Sequence, residues 1–157
     1  MNITIGHPAP EVRLPDQEGK MHTLSDYRGQ WVLLYFYPKD HTSGCTAEAC
    51  SLRDHFDRLL AKKAAVLGVS IDSVASHKSF AEKYTLPFPI LSDANKETVA
   101  AYGVWRKKTS SDGKEYYGTF RTSFLIDPEG KIAKIYENVN PETHTEEVLR
   151  DLDSLVR

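Results

Sequence analysis

Seven consecutive apolar or aromatic residues, Trp31-Val32-Leu33-Leu34-Tyr35-Phe36-Tyr37, are closed by Pro38. The run has no alternation of polar and apolar positions, so both faces of the segment must be covered. It reads as a strand buried on both sides, with other elements packed above and below it. It is the longest apolar stretch in the chain, and far too short to span a bilayer. Residues 46–62 follow with helical spacing. Ala49, Leu52, Phe56, Leu59 and Leu60 share one face, and Arg53, Asp54, Asp57 and Arg58 take the other.

The remaining segments fit around this strand and helix. Before them, Val12-Arg13-Leu14 and Met21-His22-Thr23 flank the turn-rich Pro15–Gly19 and predict an N-terminal β-hairpin. After them, Ala65 to Ile71 reads as a second buried strand, Val74 to Tyr84 as a helix, and Ile90-Leu91 as a short strand beyond Pro87 and Pro89. Asn95 to Tyr102 predicts a third helix, with Gly103 at the left-handed closing position. Lys107 to Gly118 is a polar surface loop or hairpin tip. Ser123–Ile126 and Lys131–Tyr136 are joined by Asp127-Pro128-Glu129-Gly130, whose second-position Pro and fourth-position Gly suit a type I turn. A capping box from Thr143 to Glu146 is expected to start the last helix, with Val148, Leu149, Leu152, Leu155 and Val156 as its apolar stripe. This order predicts an α/β sandwich. It fits a thioredoxin-like fold, a central mixed β-sheet flanked by helices. The 157 residues contain no repeat, low-complexity stretch or linker, so one domain over 1–157 is expected.

Charge narrows the function classes. Lys plus Arg is 20 and Asp plus Glu is 22, a formal net charge of -2. No basic excess points to nucleic acid and no acidic tail points to a disordered partner segment. A small, locally read substrate is the default. The N-terminus has no basic region followed by an apolar stretch, so the expectation is a cytoplasmic protein without a membrane partner. Asn2-Ile3-Thr4 matches a glycosylation sequon, which in that setting reads as chance.

The only cysteines are Cys45 and Cys50. They would close a very small loop, a poor structural staple. In a reducing compartment such a pair is catalytic, redox-sensing or metal-binding. Zinc wants four ligands, and no histidine pair is spaced suitably beside the cysteines, so no metal is expected. No phosphate- or dinucleotide-binding glycine pattern is present, and no other cofactor is expected.

The segment Pro38-Lys39-Asp40-His41-Thr42-Ser43-Gly44-Cys45-Thr46 lies where the buried strand ends and the helix begins, at about Cys45. Helix N-termini carry unpaired N–H groups and a partial positive charge, which favour an anion. A thiol placed there ionises more readily. The loop also lies beyond the carboxyl end of its strand, where open α/β sheets place ligands. A peroxide suits such a site. Attack on one oxygen forces negative charge onto the other, so donors must meet both oxygens. Thr42 can donate and accept, and the Gly44 and Cys45 amides can donate. A nearby cation would favour both the thiolate and the departing oxygen.

Tyr35-Phe36-Tyr37-Pro38-Lys39-Asp40, followed by Thr42-Ser43-Gly44-Cys45-Thr46-Ala47-Glu48-Ala49-Cys50, resembles the peroxiredoxin active-site signature. In that signature Pro, Thr and the reactive Cys stand where Pro38, Thr42 and Cys45 stand here. A second cysteine five residues on is similar to the bacterioferritin-comigratory-protein, or thiol peroxidase Q, subgroup. Further likeness lies in Leu67–Ser70, Phe80–Tyr84, Leu91–Asp93, Tyr102–Trp105 and Arg121–Asp127. The resemblance implies roles by position. Cys45 would be the peroxidatic cysteine. Thr42 would hydrogen-bond peroxide and thiolate, Pro38 would shield the pocket, and Arg121 would be the active-site arginine. Cys50 would resolve the oxidised Cys45 as an intramolecular disulfide. A dithiol protein such as thioredoxin would supply electrons to a monomer. None of these five positions departs from the pattern.

Helix geometry sets a condition on that pairing. Five helical steps separate the two Cα atoms by roughly 8–9 Å and point the side chains about 140° apart. A disulfide needs about 4.4–6.8 Å. The first turns of the 46–62 helix must therefore unwind before the cysteines can join. Two rival readings use the same residues: a disulfide oxidoreductase, which would prefer Cys-x-x-Cys spacing, and a redox sensor with poor turnover. Glu48 either pairs with a cation or simply favours the first helical turn. His41 reads as a solvated loop residue, and Trp31, Tyr35 and Tyr37 read as core. Trp105 is weighed for a place near the pocket rim.

Overall fold

The structure is a computed structural model that describes residues 3–156. An antiparallel ribbon, β1 (Arg13–Pro15) with β2 (Met21–Thr23), opens the fold as expected. The apolar run follows as β3 (Trp31–Phe36), then helices α1 (Ser43–Asp54) and α2 (Phe56–Ala61), strand β4 (Ala64–Ser70), helix α3 (Val74–Tyr84) and strand β5 (Ile90–Ser92). After the short helix α4 (Glu97–Ala101) comes a second ribbon, β6 (Trp105–Thr109) with β7 (Glu115–Thr119). The hairpin β8 (Thr122–Ile126) and β9 (Ile132–Tyr136) and the helix α5 (His144–Leu155) complete the chain. The main sheet has the order β5-β4-β3-β8-β9. Its first three strands are parallel, and β8 and β9 join antiparallel, giving the mixed sheet of a thioredoxin-like fold.

Strand β3 is paired on both edges and covered on both faces, which accounts for its unbroken apolar sequence. Leu33, Tyr35 and Tyr37 enter one core with Leu52 of α1, Leu59 of α2, Phe80 of α3 and Val148 of α5. Val32, Leu34 and Phe36 enter the other with Val12, Val99, Tyr102 and Phe124. Each fully buried Leu or Phe contributes about 1.5–3 kcal/mol of transfer free energy. Tyr35 faces Gly68 across the β3–β4 ladder, and a Cβ at Gly68 would lie 2.8 Å from the Tyr35 ring. Glycine there is what lets the phenol lie across β4. On the other edge Phe36 faces Thr122. Arg121, one residue earlier, thus stands at the sheet end where the loop leaves β3.

The helices expected over 46–62 and 95–102 and the cap expected for α5 differ in detail. The helix expected over 46–62 starts at Ser43 and breaks at His55 into α1 and α2. The His55 ring Nδ1 lies 2.8 Å from the Ser51 carbonyl, which also takes the His55 amide, so ring and backbone share one acceptor at the break. The turn there leaves Leu59 in the core and Leu60 52% exposed. The helix expected over 95–102 is shorter, and Gly103 follows it with φ +70°, as its closing role requires. Residues 107–118 form most of the β6–β7 ribbon and its tip. Thr143 precedes α5 without capping it, because its backbone is in the helical region (φ -113°, ψ -6°) and not extended, and the Glu146 side chain turns outward to Arg58 (2.9 Å) and His55 (3.0 Å). Of the α5 stripe, Val148, Leu149 and Leu152 are buried, while Leu155 and Val156 stay exposed. Among the described residues no helix is long and apolar enough to cross a membrane.

Candidate active site

Beyond the end of β3 the chain passes half-buried Pro38 and buried Asp40 to exposed Thr42, and α1 begins one residue later. Cys45 therefore sits in the first helical turn, as the loop-to-helix pattern predicts. Thr42 holds the cap position with extended backbone, but its hydroxyl donates to the Lys39 carbonyl (2.8 Å) and accepts no helix amide among the described residues. The first ladder bond runs from the Thr46 amide to the Thr42 carbonyl (2.9 Å). The amides of Ser43, Gly44 and Cys45 precede that bond and have no carbonyl within the helix to meet. They add to the positive end of the helix dipole, which favours an anion beside them.

The sulfur itself is almost fully buried, packed in the core cluster that holds Tyr35 and Ala49. Arg121 reaches it from the end of β8. One arm of the guanidinium, Nη2, donates to Cys45 Sγ at 3.2 Å, and the other, Nη1, donates to Glu48 Oε1 at 2.7 Å. Glu48 stands one turn after Cys45, so the helix presents both on one face. Arg can span the two because its fork is planar and rigid. Gly44 leaves room for it, since a Cβ there would lie 3.1 Å from Nη2. A shallow cleft of about 200 Å³ opens beside Gly44 and Ala47, closed on its far side by Asn140, Pro141 and Glu142.

The charges of this cluster are mutually dependent. Burial pushes the Glu48 carboxyl up to about 7, with Arg121 pulling against it. Burial alone would lower Arg121, but Glu48 and the Cys45 sulfur raise it, so it stays cationic. Glu48 Oε2 has no hydrogen-bond partner among the described residues. Burial first, and then the charges of Glu48 and Cys45, hold the Tyr35 phenol well above its ordinary range, so it remains a neutral hydroxyl.

The structure brings together Cys45, Gly44 and Arg121, and it selects the cation-pairing reading of Glu48. Thr42 stands at the rim, bound to its own loop. Pro38 ends β3. Cys50 is half-buried on the same unbroken α1, and both thiols are free. Trp105 packs with the opposite core, with the Lys96 ammonium 5.4 Å above its ring, so it does not form the rim. Lys108 is lowered chiefly by burial and next by the Arg121 charge, with Cys45 opposing, which marks it as a second cation in the field of the site. Sequence reading missed it, because the position of the β6–β7 ribbon is a tertiary matter. It also missed Asp40 and His77, although a histidine on the apolar face of α3 was a visible signal.

The chain that builds this site is similar to known proteins over nearly its whole length. Residues 5–135 match the AhpC/TSA family. The chain belongs to that family. The peroxiredoxin is 47% identical to the putative peroxiredoxin bcp of Coxiella burnetii, over 95% of this chain and 98% of the relative. It is 43% identical to peroxiredoxin Bcp of Bacillus subtilis, over 99% and 98%. Among solved structures, Xylella fastidiosa PrxQ superposes with a TM-score of 0.93 at 35% identity, covering 100% of this chain and 99% of that one. The bacterioferritin comigratory protein of Xanthomonas campestris, described for its alkyl peroxide reduction activity, gives 0.88 at 34% identity, over 93% and 92%. This peroxiredoxin is thus a peroxidase of the Bcp/PrxQ type.

Proposed function

We propose that this peroxiredoxin reduces hydrogen peroxide and organic hydroperoxides through Cys45. The sulfur attacks the terminal peroxide oxygen. An S–O bond forms, the O–O bond breaks, and its electron pair leaves on the second oxygen, which takes a proton as water or an alcohol. Cys45 becomes a sulfenic acid. The Arg121 fork carries this reading, because it joins the sulfur to a buried acid and places a cation where negative charge develops. Thr42 and the amides of Gly44 and Cys45 meet the peroxide oxygens, and Pro38 shields the pocket. The alkyl peroxide activity of the Xanthomonas relative supports the inclusion of organic substrates.

Cys50 then attacks the sulfenic sulfur. Water leaves and a Cys45–Cys50 disulfide forms. A dithiol protein such as thioredoxin returns both thiols by exchange. The cycle needs no metal or organic cofactor, and we place it in a cytoplasmic monomer. The test is steady-state peroxide removal coupled to a recycling thioredoxin system, with intact mass before and after. Cys45→Ser is expected to abolish turnover. Cys50→Ser is expected to give the first oxidation without the disulfide. Turnover retained without Cys45, or a normal disulfide yield without Cys50, overturns the corresponding step.

A further inference from the structure

A second buried polar cluster lies behind the reactive loop, and the proposed chemistry makes no use of it. Asp40, in the middle of that loop, is only 4% exposed, and His77 of α3 is fully buried. Asp40 Oδ2 lies 2.7 Å from His77 Nδ1, while His77 Nε2 lies 2.9 Å from the Leu91 carbonyl. Both ring nitrogens thus face oxygens, and the ring bridges the loop carboxylate to the backbone of β5. Tyr37 donates to Asp40 Oδ1 (2.6 Å) and Ser76 to Oδ2 (2.8 Å), and the Asp40 amide donates to Asp72 (2.8 Å). Asp40, Asp72 and His77 have the spacing of metal ligands. Their oxygens and nitrogens, however, are already spent on one another and on Tyr37, Ser70, Ser76 and Leu91, so the cluster reads as a closed internal network.

The backbone beside it is strained. His41 holds φ +64°, a region unfavourable for a residue with a Cβ. Such a conformation persists where its surroundings over-determine it. Here the surroundings are α3. The His41 ring meets the Phe80 ring edge-on at 5.2 Å, and Phe80 lies three residues after His77 on the same helical face. The loop is therefore docked on α3 twice, through Asp40 and through His41, immediately before Thr42 and the first-turn amides.

We infer that Asp40 and His77 are a positioning pair for the peroxidatic loop. The pair holds Thr42 and the amides around Cys45 in register with peroxide. The inference rests on the peroxidase reading of Cys45. Neither residue touches the reacting atoms.

The test separates the steps of one turnover by stopped flow on the full chain. Asp40→Asn is expected to slow Cys45 oxidation by hydrogen peroxide about 10-fold or more, since small misplacements of catalytic donors cost that much. Disulfide formation is expected to keep its rate. Alkylation of Cys45 by iodoacetamide, which needs no peroxide geometry, is expected to stay near the wild-type rate. His77→Gln should give the same split, and the double variant should be no slower than the slower single one, because the two residues act as one unit. Should the buried variants fail to fold, Ser76→Ala removes one donor to Asp40 from a half-buried position and should show a smaller loss in the same ratio. Folded variants with an unchanged peroxide-to-iodoacetamide ratio, or strictly additive effects, overturn the pair. A wild-type protein whose Cys45 ignores peroxide overturns the peroxidase reading instead.

Discussion

Cys45 and Cys50 share one continuous helix, the first buried in its opening turn and the second half-buried further along. The placement that gives Cys45 its amides and its arginine also keeps Cys50 roughly 8–9 Å away and on another side of the helix. On the proposed pairing of Cys45 with Cys50, reactivity and resolution therefore belong to different backbone conformations.

The extent of the opening is set by contacts along α1. Ser51 Oγ donates to Thr145 (2.9 Å), Arg53 to the Tyr84 carbonyl (2.7 Å), and the His55 ring meets Glu146 (3.0 Å). Among the described residues no equivalent tie holds the exposed or half-buried side chains of Ser43, Thr46 and Ala47. Hydrogen exchange on the disulfide form is expected to lose protection at the amides of residues 46–54, whose acceptors lie in 42–50, and to keep it from 55 to 61. A disulfide-linked protein with full protection at Thr46–Cys50 contradicts the unwinding.

Arg121 is expected to matter as a fork and not only as a charge. Arg121→Lys retains a cation but cannot serve Sγ and Glu48 together, so the oxidation rate should fall about 10-fold or more. Arg121→Gln removes the charge and should cost on the order of 10²–10³, the usual loss for one preorganised donor. Rapid-mixing kinetics with hydrogen peroxide measure both. Equal rates for Lys and Arg would confine the role to charge.

Glu48 gives the protein a pH-dependent stability. Its carboxyl is raised from 4.5 to about 7 in the folded state, so between those values the native protein binds more protons than the unfolded chain. Stability from this group is full below the lower value and falls as pH rises, by roughly 3 kcal/mol once the upper value is passed. Glu48→Gln cannot ionise and should flatten that fall. Urea unfolding at pH 5 and pH 8 checks it: the variant should compare more favourably with wild type at pH 8. A difference that does not change with pH would mean that Glu48 is ionised throughout.

Gly44→Ala should separate folding from catalysis. Alanine is the better helix former by roughly 0.5–1 kcal/mol. Its Cβ, however, would press on Arg121 Nη2 at 3.1 Å and shift it from the sulfur. The expected result is an unchanged or higher melting temperature with several-fold slower peroxide reduction. A variant as fast as wild type would show that the guanidinium has slack.

By itself, the order of residues was enough to specify the buried β3, its stop at Pro38, the helix that starts near Cys45, the β8–β9 turn, and the obstacle to a Cys45–Cys50 bond. Each of these depends on contiguous residues, through hydrophobic period, turn chemistry or helix geometry. Other features came from packing between remote segments. Arg121 meets Cys45 across 76 positions, and His77 meets Asp40 across 37. The outward turn of Glu146 to Arg58 and His55 follows from partners remote in the chain. The raised carboxyl of Glu48 follows from desolvation. Local pattern limits what a segment can become, but charge, strain and proximity depend on what the finished fold places beside it and how much water it excludes.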